Sequence, residues 1–172
     1  MIEYVIIQHI TKRSITMSIE KAREYLKNYG LDNQIMEFEV SSATVELAAQ
    51  AIGCREAEIA KTLSFTVEDE AILIVVAGDA RIDNSKFKSE FHTKAKMIAF
   101  DDVERLIGHA VGGVCPFGVN ENVKIYLDCS LKNFDYVYPA CGSSNSAIKL
   151  ELKTLTKIIS FEGWVDVCKD AQ

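Results

Sequence analysis

Residues 108–118 read GHAVGGVCPFG, a stretch that holds four of the nine glycines of the chain and one of its two prolines. Gly112 and Gly113 permit positive φ angles and close backbone approach, whereas Pro116 stiffens the far side of the stretch. Backbone N–H groups in this loop can therefore converge on one point, which suits an anion or a developing oxyanion. A tight connection between a helix and a strand is the alternative, because glycine and proline also punctuate ordinary turns.

Cys115 and His109 lie in the same stretch and raise the alternative of a cysteine nucleophile. A reactive thiolate needs a nearby base or a positive environment. The separation of the two residues along the chain is not specific to any mechanism, and cysteine is more often buried and inert. The pattern therefore favours an unreactive Cys115, and the nucleophile remains a competing hypothesis.

The segments on either side of this stretch alternate between helix and strand patterns. Helical spacing of apolar residues predicts helices over residues 18–29, 41–52 and 83–91, and β-rich runs at 59–67 and 71–77 predict a hairpin. Further short strands are predicted at residues 35–40, 97–100, 123–128, 136–140, 147–152 and 164–167. Two further helices are predicted. One covers residues 154–159, and the other begins with a capping box of Asp101 and Glu104 and ends at Gly108. We predict an α/β fold of the α+β type, with a mixed, largely antiparallel and partly barrel-like sheet and helices packed outside.

The length of 172 residues and the hydrophobic content of 48% predict one globular domain. No apolar run approaches the roughly 20 residues of a membrane-spanning helix, so we expect no membrane partner. Ser18 is a good helix start, and we therefore treat residues 1–16 as an N-terminal extension of uncertain status and residues 17–172 as the domain.

The five cysteines form no CxxC pair, and the three histidines show no metal-ligand spacing. This usage is typical of reduced thiols, so we expect a cytoplasmic protein. We predict no metal and no other cofactor.

The charge of the chain limits its nucleic-acid partners. The formal net charge is −6, which is the wrong sign for bulk electrostatic binding of a polyanion. Residues 81–96 are locally basic, although the pattern favours a solvated helix face over a binding surface. Any nucleic acid must therefore be held locally, or with the help of a partner.

Three further features could carry chemistry. Lys61 interrupts the apolar run IAKTLSF, where it is either a solvent-facing lysine or a cation placed for a phosphate. The turn Gly142, Ser143, Ser144, Asn145 could present hydroxyls and backbone donors to a ligand, although a polar hairpin turn is the default. Asp128, which ends VKIYLD, could orient a neighbour or cap the following turn.

The segments IAKTLSF, VAGDARID, GHAVGGVCPFG, YLDCSLKNFDYVYPACG and SSNSAIKL follow the order and spacing of the YbaK/EbsC family. That family is related to the inserted editing domain of bacterial prolyl-tRNA synthetases. The resemblance covers residues 38 to 168, which is most of the chain, and its Lys-Thr-Leu strand and Gly-Gly-x-x-Pro-x-Gly loop are specific in combination.

The resemblance implies a trans-editing aminoacyl-tRNA deacylase that hydrolyses the ester of a small amino acid on a mischarged tRNA, of which the tRNA for proline is the first candidate. Its implied partners are the CCA end of aminoacyl-tRNA and an aminoacyl-tRNA synthetase. Lys61 then matches the lysine that holds the terminal adenosine and its phosphate, and the loop positions the aminoacyl carbonyl and water. The implied catalytic residues are Lys61, Gly112, Gly113, Val114, Cys115 and Pro116, and the implied substrate-binding residues are Lys61, Gly118, Asp128, Gly142, Ser143 and Ser144.

The sequence also departs from YbaK-type deacylases after the late glycine. At this position those proteins have a stretch similar to GKRGLDI, whereas this chain reads GSSNSAI. Ala147 therefore replaces a carboxylate, and two basic residues are missing. The amino acid and the tRNA therefore remain open. A non-catalytic module that binds a tRNA 3′ end or a nucleotide is the alternative function, and a regulator of surface-protein expression is a third hypothesis without residue-level support.

Overall fold

The computed structural model describes residues 17–39 and 44–169 of the chain, and the predicted extension over residues 1–16 lies outside these ranges. The helices are α1 (residues 17–27), α2 (Val45–Ile52), α3 (Asn84–Phe91), α4 (Phe100–Ile107) and α5 (Leu152–Ile158). The strands are β1 (Met36–Glu37), β2 (Ile59–Val67), β3 (Glu70–Ala77), β4 (Lys124–Asp128), β5 (Tyr136–Pro139), β6 (Ser146–Ala147), β7 (Leu150–Glu151) and β8 (Gly163–Val165).

Six of these strands form one sheet in the order β7-β5-β2-β3-β4-β8, and β1 pairs with β6 separately. The longest pairing is the antiparallel β2–β3 hairpin, and β5–β7 and β1–β6 are also antiparallel. The β2–β5, β3–β4 and β4–β8 pairs are parallel. The sheet is thus mixed and curls into a half-barrel, which confirms the predicted α+β fold class.

The β2–β3 hairpin has a tight turn, and its second strand is buried on both faces of the sheet. Its turn places Glu68 and Asp69 in the left-handed region, at φ 48° and 66°, which matches the twist of the strands. Residues 72–77 of β3 are all buried, and successive side chains enter different cores because they point to opposite faces of the sheet. Leu73 and Val75 join a core with residues of α1, α4 and α5, whereas Ile72, Ile74 and Val76 join a second core with Phe87 of α3.

Local signals at helix ends agree with the sequence in most places. The Asp83 side chain accepts the N–H groups of Ser85 and Lys86 at the start of α3, and α2 and α4 end at Gly53 and Gly108 as predicted. The capping box of Asp101 and Glu104 is wrong, since α4 begins at Phe100 and its N-cap is Ala99, which makes no side-chain cap. Asp101 lies instead within the first turn, where its charge favours the helix dipole.

The predicted strand over residues 97–100 is also wrong. This segment bridges β2 only between Met97 and Phe65, because the chain turns directly into α4 at Phe100. The predicted strand over residues 147–152 is divided between β6, β7 and the first residue of α5. The first of these differences lies along the edge of β2, where the sheet leaves a gap.

Candidate active site

One edge of β2 pairs with β3 along almost its whole length, whereas the opposite edge is paired near its two ends and open in the middle. β5 pairs with β2 only at Ile59 and Ala60. Further along, the Ser64 carbonyl accepts from the Ile98 N–H at 3.1 Å and the Thr66 N–H donates to the Lys96 carbonyl at 2.9 Å. Backbone groups of every second residue point to the same edge of an antiparallel strand, so the N–H and C=O of Thr62 face the gap.

A cavity of about 400 Å³ opens at this gap. Its size lies within the range of small-molecule pockets. Most of its lining side chains are apolar, and Met97, Phe100 and Val111 at its rim are exposed. It is lined by Val45, Ala48 and Ile52 of α2, by Ile59 to Ser64 of β2, by Ile98, Val103, Val111, Gly112, Val114, Tyr138 and Ala140, and by Ser143, Ser146 and Ala147.

Lys61 is the one lysine or arginine among the described residues that line this cavity. Its ammonium group donates to the carbonyls of Gly78 at 3.1 Å and Ala80 at 2.8 Å. An ammonium has three donors, so these two carbonyls, which are its partners among the described residues, leave one for a ligand. Burial lowers the pKa of the Lys61 ammonium from its ordinary value.

The glycine loop forms the facing wall through Val111, Gly112 and Val114. Gly112 has φ +88°, a conformation that glycine adopts without strain. The Gly113 N–H donates to the Ala110 carbonyl at 3.1 Å, and the Cys115 N–H donates to His109 Nδ1 at 3.4 Å. The amides that belong to the cavity-lining residues of the loop are those of Val111, Gly112 and Val114, whereas the Gly113 and Cys115 amides are engaged within the loop.

Cys115 and His109 are both buried and lie outside the lining of the cavity. The Cys115 Sγ is 3.7 Å from His109 Nδ1. Burial raises the pKa of the Cys115 thiol to about 12. Burial, together with the charge of Lys21, lowers the pKa of His109 to about 4. At neutral pH the pair is a thiol and a neutral imidazole, which argues against the cysteine nucleophile.

The turn at residues 142–145 lies beside the glycine loop. Ser143 lines the cavity, and its hydroxyl donates to Asn145 Oδ1 at 2.9 Å and lies within hydrogen-bond distance of Ser146 Oγ at 2.7 Å. A Cβ on Gly112 would lie 3.4 Å from the Ser144 Cβ, so these two residues are neighbours. The structure thus brings the loop and the serine turn together, as the sequence suggested for a shared site.

Three of the predicted site residues lie elsewhere. Asp128 is 1% exposed and accepts the N–H groups of Ser130 and Val167, both at 2.9 Å, so it ties the end of β4 to the C-terminal segment. Pro116 and Gly118 line a separate cavity of about 830 Å³. None of the three lines the cavity that Lys61 lines, and the same holds for Cys115 and for Gly113, Gly142 and Ser144, which are next to lining residues in the sequence.

Thr62, Ser64 and Ser146 are cavity residues that the sequence prediction missed. Thr62 Oγ1 is buried, and it has no hydrogen-bond partner within the described ranges. A signal was present in IAKTLSF, since Thr62 and Ser64 stand two positions apart in an apolar strand and therefore share a face.

Residues 39–158 match the aminoacyl-tRNA editing domain family, and the chain belongs to this family. The uncharacterized protein YwhH of Bacillus subtilis (strain 168) is 50% identical over 155 residues, which cover 90% of this chain and 99% of YwhH. A proline–tRNA ligase of Leuconostoc mesenteroides is 25% identical over 125 residues, which cover 68% of this chain and only 22% of the ligase. The chain therefore spans about a fifth of the length of that synthetase.

The fold is shared with solved structures of the same size. A crystal structure of a proposed trans-editing enzyme for prolyl-tRNA synthetase has a TM-score of 0.80 and 28% identity, and the match covers 89% of this chain and 98% of that one. Within the part of the chain that the structure describes, no helix is long and apolar enough to cross a membrane.

Proposed function

We propose that this protein is a trans-editing deacylase, which hydrolyses the ester between a small amino acid and the 3′ end of a mischarged tRNA. The observation that carries the proposal is the meeting of Lys61, the glycine loop and the serine turn at one cavity, in a chain of the editing family. The tRNA for proline is the first candidate, because the chain resembles part of a proline–tRNA ligase and a proposed trans-editing enzyme for such a synthetase.

The chemistry needs positioning rather than a nucleophilic side chain. Water attacks the ester carbonyl carbon, the C–O bond to the ribose breaks, and the products are the free amino acid and the 3′-hydroxyl of the tRNA. In this proposal the amides of Gly112 and Val114 hold the developing oxyanion, and one such donor contributes about 3 to 4 kcal/mol. The 2′-hydroxyl of the substrate assists the attacking water, as the family resemblance implies.

Lys61 has a binding role in this mechanism. Its compact charge, oriented by the carbonyls of Gly78 and Ala80, suits the phosphate or ribose of the terminal adenosine. The ester then lies between Lys61 and the glycine loop. Fixed placement of this kind accounts for large rate effects even without acid–base catalysis.

The side chains in the walls of the cavity support the proposed preference for small amino acids. Val45, Ala48 and Ile52 of α2 present apolar side chains, whereas Ser143 and Ser146 add hydroxyl groups on the other side. A short side chain such as that of alanine, serine or cysteine fits both surfaces. The acidic net charge of −6 further suggests that only the 3′ end is held, with a synthetase supplying additional affinity.

A deacylation panel tests the proposal. Purified protein is incubated with tRNAs carrying alanine, serine or cysteine, with and without a chelator, and release of the amino acid is followed. We expect turnover of at least one ester on the tRNA for proline, and no turnover of correctly charged prolyl-tRNA. Binding of tRNA without any hydrolysis would support the non-catalytic module instead.

A further inference from the structure

One face of the ribbon formed by β5 and residues 147–151 leads out of the cavity. The two segments are antiparallel, with Tyr136 opposite Glu151 and a bridge between Ala140 and Ala147. In the same register, Lys149 stands opposite Tyr138. Since side chains alternate between faces, residues 136, 138, 140, 147, 149 and 151 share one face, whereas Val137, Pro139, Ile148 and Leu150 are buried on the other.

Along this face the surroundings change from the cavity to solvent. Ala140, Ala147 and Tyr138 line the cavity. Lys149 is exposed, and Tyr136, at the outer end, is 42% exposed. At the usual rise of a strand, Tyr136 lies about 13 Å from Ala140. The face is therefore a continuous path from the cavity to the surface, and we name Tyr136, Tyr138 and Lys149 the exit stripe.

The exit stripe combines aromatic rings with a positive charge. Lys149 Nζ lies 4.6 Å from the centre of the Tyr136 ring and 6.0 Å from that of Tyr138. The acidic neighbours of the stripe have other partners: Glu151 pairs with Lys153 at 2.7 Å and accepts from the Tyr136 hydroxyl at 3.4 Å, and Glu58 pairs with Arg55 at 3.2 Å. The charge of Lys149 is thus held over aromatic rings rather than in one of these ion pairs.

We propose that the exit stripe binds the unpaired 3′ end of tRNA, with a phosphate at Lys149 and a base stacked on Tyr136. Surfaces that bind single-stranded nucleic acid combine cations for the backbone with aromatic rings for the bases. The charge of Lys149 is complementary to the polyanion, although the chain as a whole is acidic. This inference rests on the proposed function, because the nucleotides that bind the stripe are those next to an ester held in the same cavity.

Binding of an unacylated RNA provides a test that does not require turnover. The probe is a labelled single-stranded oligonucleotide that ends in CCA. We expect Tyr136→Ala and Lys149→Ala each to weaken binding by about tenfold. For Lys149→Ala the slope of log K against log salt should also fall by about 0.7, since one phosphate contact is lost.

Two controls match these variants. Tyr29 is 47% exposed at the end of α1, and Lys88 is exposed on α3, so Tyr29→Ala and Lys88→Ala remove similar side chains away from the stripe. Both should bind the oligonucleotide as the wild type does. The inference would be overturned if both stripe variants bound the oligonucleotide with wild-type affinity, or if the stripe and control variants lost affinity equally.

Deacylation kinetics separate this inference from the proposed function. If the protein is a deacylase, Lys149→Ala should lower kcat/KM more for full-length aminoacyl-tRNA than for a 3′-aminoacyl-adenosine. A protein that hydrolyses no ester but loses oligonucleotide binding in the stripe variants would refute the deacylase and support the stripe. Ester hydrolysis, with unchanged oligonucleotide binding and unchanged kinetics in those variants, would support the deacylase and refute the stripe.

Discussion

Gly113 packs against the peptide group of Gly142. A Cβ on Gly113 would lie 2.6 Å from the Ser143 nitrogen and closer still to the Gly142 carbonyl, so no side chain fits there. This approach joins the glycine loop to the serine turn, although the two segments are far apart in the sequence. The position of Gly112 and Val114 in the cavity wall therefore depends on Gly113.

Replacement of Gly113 by alanine should disturb both stability and activity. Backbone cannot yield as a flexible side chain does, and overpacking of this kind costs about 1–3 kcal/mol. We expect a lower melting temperature and a loss of deacylation that exceeds the loss of folded protein. Gly163→Ala is the control, because nothing lies within 4 Å of a Cβ there. A Gly113→Ala protein with wild-type stability and turnover would show that the two turns are not tightly coupled.

Thr62→Val should separate stability from activity. The Thr62 hydroxyl oxygen is buried and lacks a hydrogen-bond partner in the described part of the chain, and an unsatisfied buried polar atom costs about 1–3 kcal/mol. The variant should therefore melt at an equal or higher temperature, whereas single-turnover deacylation should slow by about tenfold if this hydroxyl contacts the substrate. Thr66→Val, further along β2 and outside the cavity lining, should change neither quantity. Lower stability with undiminished turnover would contradict the assignment of Thr62 to the site.

Folding stability should depend on pH through His109. Its pKa is about 4 in the folded protein, against about 6.5 in an unfolded chain. Between these values the unfolded state binds more protons, so stability is present above pH 6.5 and is lost as the pH falls toward 4. The full contribution is about 3 kcal/mol.

Denaturant titrations of His109→Gln across this pH range measure the effect. The variant should lose less stability than the wild type between pH 7.5 and pH 4.5. The control is His92→Asn, since His92 is exposed and its left-handed backbone suits asparagine. The same pH dependence in His109→Gln and the wild type would mean that the imidazole does not titrate as its burial predicts.

Local sequence signals were sufficient for much of the fold. The hairpin, the Asp83 cap and the helix ends at Gly53 and Gly108 each depend on residues close together in the chain, and all four were predicted correctly. The prediction of a strand at residues 97–100 was wrong because the pairing of this segment with β2 is limited to one bridge and depends on distant residues.

The composition of the candidate site was only partly predictable. Lys61, the glycine loop and Ser143 stood out as residue types in unusual places. The gap beside Thr62 arises because β5 pairs with β2 only at Ile59 and Ala60, which no local pattern indicates. Asp128 is buried because β8 pairs in parallel with β4 and brings Val167 to its carboxylate, which is again a long-range effect.

The central claim is that Lys61 and the loop backbone, rather than the Cys115 thiol, carry the reaction. Single-turnover deacylation of Lys61→Ala and Cys115→Ser, with folding checked by melting, tests it most directly. Loss of the Lys61 charge misplaces the ester, which costs on the order of 100-fold in rate, whereas Cys115→Ser keeps the loop backbone and should slow the reaction only modestly. A nucleophilic thiol requires the opposite order, because serine without an activating base is a far poorer nucleophile. Activity abolished in Cys115→Ser and retained in Lys61→Ala would contradict the mechanism.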